Sequence, residues 1–137
     1  MNKQITEDYV SYEIAKLLKE KGFDCACKVW YSEYTSQFGG KKYTSIEFDN
    51  HNKFNENYKF ICSAPTHQMA LKWLREVHRI ETHIVLSELN ADNSRKYMFD
   101  IYSSDINRDF DSVQKEGFNS YEQAVEAAIL YILKNLI

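Results

Sequence analysis

Hydrophobic residues recur at three- and four-residue steps in three stretches of the chain, and this spacing predicts three amphipathic helices. The first follows Thr6 and ends at Gly22, which can take the left-handed conformation that closes a helix. The second follows Pro65, and the third begins with a capping box, Ser120-x-x-Gln123. Their apolar positions are Val10, Ile14, Leu17 and Leu18; Ala70, Leu71, Leu74 and Val77; and Val125, Ala128, Ile129, Ile132, Leu133 and Leu136.

Four further stretches carry the β-branched and aromatic residues typical of strands, and turn residues join them in two hairpins. The strands are Cys27–Tyr31, Tyr43–Phe48, Ile84–Leu89 and Tyr97–Tyr102. The first hairpin loop contains Gly39-Gly40, and the second is the polar run from residue 90 to residue 94. The order α-β-β-α-β-β-α predicts an α+β fold, in which an antiparallel sheet of about four strands packs against helices. We expect a single domain over residues 1–137, and a loose ββα duplication over 25–80 and 82–137 fits the same order.

The composition favours one well-packed domain, since 44% of the 137 residues are hydrophobic and only five are Gly or Pro. The longest apolar run, Ala127–Leu133, is far shorter than the roughly 20 residues of a membrane span. The N-terminus lacks the apolar core of a signal peptide, so we expect a cytoplasmic protein. The net charge is −3 without a basic stripe, which disfavours binding to extended nucleic acid. The Asn-rich segment Asp49–Tyr58 predicts a mobile surface connection.

One polar segment matches the spacing of a calcium loop. Loop positions 1, 3, 5, 7 and 12 are occupied by Asp105, Asn107, Asp109, Asp111 and Glu116. The segment departs from the calcium-loop pattern at three points. Phe110 stands where a sharp turn needs Gly, Ser112 is a second mismatch, and the residues before the loop predict a strand and not a helix. The segment is therefore either a weak cation site or a polar loop whose Asp residues cap turns.

The cysteines allow a second metal hypothesis, because a strand would place Cys25 and Cys27 on one face, near Cys62 and a histidine. The chain lacks the second Cys pair of structural zinc sites, so the alternative is reduced thiols that pack as small hydrophobes. His51, His67, His78 and His83 form no H-E-x-x-H motif. Four glycines leave no room for a P-loop, a dinucleotide fingerprint or a nucleophile elbow, so we predict no catalytic residue and no cofactor.

Alternation along the strands points to a candidate contact face. If Thr44, Ile46 and Phe48 face the helices, Tyr43 faces outward, and the same argument turns Trp30 outward. The candidate contact residues are Trp30, Tyr43, Met98 and Tyr102, bordered by Lys41 and Lys42. Such a face could bind a protein partner or a second copy, could stack a nucleotide, or could be core between two layers of helices.

Three helical segments resemble a family of small uncharacterised proteins encoded by phages and prophage-like elements of gut anaerobes. These segments span residues 5–24, 62–80 and 120–137, and the most specific part is Cys-Ser-Ala-Pro-Thr-x-Gln-Met-Ala-x-Lys-Trp-Leu-Arg-Glu from residue 62. The resemblance implies a small accessory protein that acts in a bacterial cytosol. The family has no assigned activity, so the resemblance assigns no role to any residue.

Three functions follow from these observations, and the first is favoured because no catalytic motif is present. It is a non-enzymatic binding protein of phage or mobile-element type, which contacts a protein partner or associates with itself. The alternative is a protein that binds a small nucleotide signal and so acts against host defence. The third is a metal-dependent hydrolase that uses the carboxylates between Asp105 and Glu116.

Overall fold

A computed structural model describes residues 4–32, 41–52, 61–108, 110 and 112–137. These residues form α1 (Tyr12–Glu20), β1 (Cys27–Ser32), β2 (Lys41–Asp49), β3 (Ile61–Ser63), α2 (His67–His78), β4 (Ile80–Leu89), β5 (Arg95–Ser103), β6 (Val113–Phe118) and α3 (Tyr121–Asn135). All strand pairs are antiparallel, which confirms the α+β class and the predicted order of helices and hairpins. None of the described helices is long and apolar enough to cross a membrane.

The strands form two three-stranded sheets, in the orders β2-β1-β3 and β4-β5-β6, instead of the expected single sheet of about four strands. The physical reason is that each predicted hairpin gains a third strand of its own: β3 pairs with β1, and β6 pairs with β5. The chain divides accordingly into two compact units, Met1–Gln68 and Met69–Ile137.

In the first unit, α1 begins at Tyr12 and not behind Thr6 as the spacing predicts. Ser11 is the N-cap, and its hydroxyl accepts a hydrogen bond from the Ile14 amide at 3.4 Å. The preceding residues are extended, since the Val10 amide donates to the Pro65 carbonyl at 3.0 Å and the His67 amide donates to the Asp8 carbonyl at 2.9 Å. Backbone groups that bond to residues 65–67 are unavailable for a helical turn.

The end of α1 confirms the prediction at Gly22, which has a φ of +88°. Its amide donates to the Lys19 carbonyl at 3.1 Å, and the Phe23 amide donates to the Leu18 carbonyl at 2.9 Å. These two bonds define a Schellman motif, in which the residue after the glycine folds back onto the last turn. The buried hydrophobic side chains of this unit include Val10, Ile14, Ala15, Leu18, Phe23, Cys27, Val29, Cys62 and Ala64.

The connection after β2 is anchored in its first part, where the sequence predicts mobility over Asp49–Tyr58. The Asn52 side chain donates to the Phe23 carbonyl at 2.9 Å and accepts from the Ser63 amide at 2.9 Å. The His51 amide donates to the Ser63 hydroxyl at 3.0 Å. This polar clamp joins the turn after α1 to β3; the later part of the connection lies outside the described residues.

In the second unit, α3 packs on the sheet through an apolar face, and Ser120 is its N-cap, as the predicted capping box requires. The Ser120 hydroxyl accepts from the Gln123 amide at 3.1 Å, while the Gln123 side chain accepts from the Asn119 amide at 3.2 Å. Phe99 lies under the helix, with its ring 5.7 Å from that of Phe118. The buried residues of α3 and its sheet are Ala124, Val125, Ala128, Ile129, Ile132, Leu133, Ile80, Phe99 and Ile101.

Candidate functional site

Trp30 and Tyr43 form an aromatic pair on the first sheet. They face each other across β1 and β2, their ring centroids lie 4.5 Å apart, and the rings are nearly parallel at 19°. The indole N–H donates to the Ser45 hydroxyl at 3.0 Å, and the His51 ring lies 5.9 Å from the indole. His51 Nε2 is 2.9 Å from the Cys27 carbonyl, which can only accept, so Nε2 carries a hydrogen. The indole N–H and His51 Nε2 thus both have partners in the protein.

Lys42, one of the two lysines expected at the border of this face, does not join the pair. Lys42 lies opposite Tyr31, and its ammonium is 5.3 Å from the Tyr9 ring centroid. Because successive residues of a strand point to opposite faces, Lys42 lies on the face away from Tyr43. The Lys41 side chain lies outside the described residues. The arrangement therefore gives the aromatic pair no phosphate-binding cation from Lys42.

Met98 and Tyr102 belong to β5 of the second sheet, which corrects the expectation that they share one face with Trp30 and Tyr43. The two hairpins belong to separate sheets and do not pair with each other, so their residues do not share one sheet face. Met98 lies opposite Val85, at a position that shares its face with Tyr102.

A polar chain crosses this face of the second sheet. The Tyr102 hydroxyl donates to Asp100 Oδ2 at 3.1 Å, and it therefore accepts from His83 Nδ1 at 2.9 Å. The Gln114 side chain donates to the same Asp100 oxygen at 3.3 Å. Partial removal from water, the hydrogen bond to Asp100 and the charge of Asp100 raise the pKa of Tyr102. These hydrogen bonds link β4, β5 and β6, and the raised pKa keeps the Tyr102 hydroxyl protonated as a donor.

A cavity of about 230 Å³ lies on the same sheet. Its lining combines a thioether, an amide, a cation and an anion, from Met98, Gln114, Lys115 and Glu116. Pockets that enclose drug-sized ligands measure roughly 300–1,000 Å³. The cavity is thus small for a nucleotide, and its described lining places the Glu116 carboxylate next to Lys115 in the chain.

Asp105 and Glu116, the first and last residues of the calcium-loop pattern, have different structural roles. Asp105 Oδ1 accepts from the Asn107 amide at 2.9 Å and so caps a turn, whereas Glu116 lies within β6. Asp109 and Asp111 lie outside the described residues. Across the parts of the chain that the structure describes, no three His, Cys, Asp or Glu side chains are grouped as metal ligands.

The three cysteines are free thiols, and Cys27 and Cys62 are buried. Burial, with a smaller contribution from Cys25, raises the pKa of Cys27 to about 12. Since the thiolate is the nucleophilic form of cysteine, burial makes Cys27 a poor nucleophile at neutral pH. Its place in the core fits the packing alternative for the cysteines.

We expect the raised pKa of Cys27 to make stability fall at alkaline pH. The unfolded thiol ionises near 9.0 and the folded thiol near 12, so the unfolded state alone loses a proton between these values. Above pH 9 the wild-type free energy of unfolding should drop, relative to Cys27→Ala, by at most about 1.4 kcal/mol for each pH unit. Urea unfolding with reductant at pH 8 and pH 10 measures this difference. Parallel pH profiles for the two proteins would contradict it.

The strand β4 is the terminal strand of the second sheet and exposes apolar side chains at its far end. Val85 and Leu86 are each 46% exposed and Leu89 is 61% exposed, whereas Ile80 at the near end is buried. Val85 lies opposite Met98 and Leu86 lies opposite Tyr97, so the exposed residues occupy both faces of the strand. We call the free side of β4 with Val85, Leu86 and Leu89 the β4 edge. Sequence analysis found the strand but missed this property, because an apolar run does not show which edge stays unpaired.

The fold and its surfaces define an α+β protein with two small antiparallel sheets, one of which ends in an exposed apolar edge. No family model, curated protein or solved structure matches the chain. The function is therefore argued from the geometry of the chain itself.

Proposed function

We propose that the protein is a non-enzymatic interaction protein that binds another polypeptide chain along the β4 edge. The observation that carries this proposal is the exposure of Val85, Leu86 and Leu89 on a strand whose free side pairs with no described strand. Long apolar edge strands are sites where another chain adds to a sheet. The resemblance to phage and prophage proteins suggests the setting, an accessory role in a bacterial cytosol.

Strand addition uses the apolar residues on both faces of β4. An added strand hydrogen-bonds to the free amides and carbonyls of the edge, and its alternate side chains then lie beside Val85 on one face and Leu86 on the other. Apolar surface that such a contact removes from water stabilises the complex by roughly 25 cal/mol per Å². The backbone supplies the geometry of such a contact, and the side chains select the partner.

The nucleotide and hydrolase alternatives gain less support from the described residues. Lys42 turns away from the aromatic pair, and the cavity on the second sheet is small for a nucleotide. Of the proposed metal ligands, Asp105 caps a turn and Glu116 lies in a strand. Protein binding is the function that needs no residue beyond those on the β4 edge.

Photo-crosslinking tests the proposal. With p-benzoylphenylalanine in place of Leu89, we expect discrete adducts to a polypeptide when the protein is irradiated in bacterial cells. The matched control carries the probe in place of Ile106, a 98% exposed apolar residue outside the sheet. Adducts should be absent from the control and should disappear when the Leu89 probe is combined with Leu86→Lys. Equal adducts from both positions, or none from position 89, would refute binding at the β4 edge.

A further inference from the structure

The sequence around Val85 is self-complementary as a strand. Three apolar residues, Ile84-Val85-Leu86, are flanked on one side by Thr82-His83 and on the other by Ser87-Glu88. The pattern of polar and apolar positions is therefore the same over three residues in each direction from Val85. An antiparallel partner strand runs in the opposite direction, so a copy of this segment presents the matching pattern.

From this symmetry we infer that the occupant of the β4 edge is a second copy of the chain, with the two β4 strands antiparallel and the two Val85 residues opposite each other. The inference rests on the proposed function. In this register Ile84 of each copy faces Leu86 of the other, so all central pairs are apolar. The result is one six-stranded sheet in the order β6-β5-β4-β4-β5-β6.

Neighbouring registers fit less well. A shift by two residues, the smallest that keeps each side chain on its own face, sets Val85 opposite Ser87 or opposite His83. Either shift leaves one apolar pair, Leu86 with Leu86 or Ile84 with Ile84, where the register centred on Val85 has three, and so buries less apolar surface. The bulge between Leu86 and Glu88 bends the strand just beyond the central segment and so limits the paired length.

The symmetry also fixes how the faces of the two sheets combine. Side chains that oppose each other across an antiparallel pair point to the same side of the sheet. Both Val85 residues therefore lie on the face that bears the Tyr102–His83 chain, while Ile84 and Leu86 lie on the face covered by α3. The two α3 helices thus share one face of the combined sheet, and the apolar contact continues the core beneath them.

Sedimentation velocity of the full chain, from about 1 μM to about 1 mM, tests the second copy. We expect a monomer–dimer equilibrium for the wild type and a dissociation constant at least about tenfold higher for Val85→Lys, since two lysines then face each other across the axis. The matched control is Val77→Lys, on the exposed side of α2, which should associate like the wild type. A monomeric wild type, or equal loss of association in both variants, overturns the inference.

Disulfide trapping tests the register independently of stability. Opposed residues of an antiparallel pair have Cα atoms about 4.5–5.5 Å apart, within the range of a disulfide. Val85→Cys should therefore form a covalent dimer on mild oxidation, while Ser87→Cys and the wild type, with its three native thiols, should not. Equal trapping at both positions overturns the register. If the wild type is monomeric but the probe at position 89 still crosslinks to a different polypeptide, only the inference of a second copy is overturned. If the wild type is monomeric and position 89 gives no adducts, the proposed function is overturned too.

Discussion

Replacing Phe99 by alanine is expected to lower the free energy of unfolding by about 3–5 kcal/mol, the largest effect of any substitution considered. Phe99 is fully buried in the second unit, stacks on Phe118 and lies 6.3 Å from the Tyr131 ring. The truncation leaves a cavity between the sheet and α3, and close-packed surroundings relax only partly into such a cavity.

The matched control is Phe48→Ala, because Phe48 is 61% exposed on β2. Its ring contacts the Lys28 ammonium at 5.0 Å, a contact of low energy in water. We expect a loss below about 1 kcal/mol for this variant. Urea denaturation followed by circular dichroism measures both, and similar losses for the two phenylalanines would show that Phe99 is not a core residue.

Removal of the Asn52 side chain is expected to cost about 2–3 kcal/mol, although no apolar contact is lost. Asn52→Ala breaks the bonds to the Phe23 carbonyl and the Ser63 amide. Ser63 is fully buried, so its amide cannot recover a partner from water without opening the structure. The loss combines two hydrogen bonds with the desolvation of an unpaired buried group.

Two further variants distinguish the loss of the two Asn52 hydrogen bonds from a general effect of replacing an asparagine. Asn52→Asp keeps an acceptor for Ser63 but loses the donor to Phe23, so its free energy of unfolding should lie between those of the wild type and the alanine variant. Asn90→Ala removes a side-chain bond to Ser94 in the exposed β4–β5 turn and should cost less than about 0.5 kcal/mol. A loss for Asn52→Ala no larger than that for Asn90→Ala would refute the clamp.

The sequence predicts the elements whose determinants are local. The N-cap at Ser120 and the helix end at Gly22 depend on neighbours within a few residues, and both are confirmed. The start of α1 depends on hydrogen bonds between residues near Val10 and residues near Pro65, which no local pattern reveals. The strands β3 and β6 escape prediction for a similar reason: one is three residues long, and the other is largely polar.

The candidate site was predictable only in part because register is a tertiary property. Alternation predicts that Trp30 and Tyr43 share a face, and their rings stack, but Thr44 and Phe48 are exposed instead of directed to the helices. The β4 edge became visible only once strand order was known. Alternation shows which residues share a face, and it does not show which strand is last in the sheet.

The orders of the two sheets have a consequence for how the chain folds. In the second unit every strand pairs with its neighbour in sequence, across connections of five and nine residues, so its sheet forms through short loops. In the first unit β3 must join β1 across the 28 residues between Ser32 and Ile61, which carries a larger loop-closure entropy. Low contact order favours early formation of the second sheet, and the β4 edge then exists before the first sheet is complete.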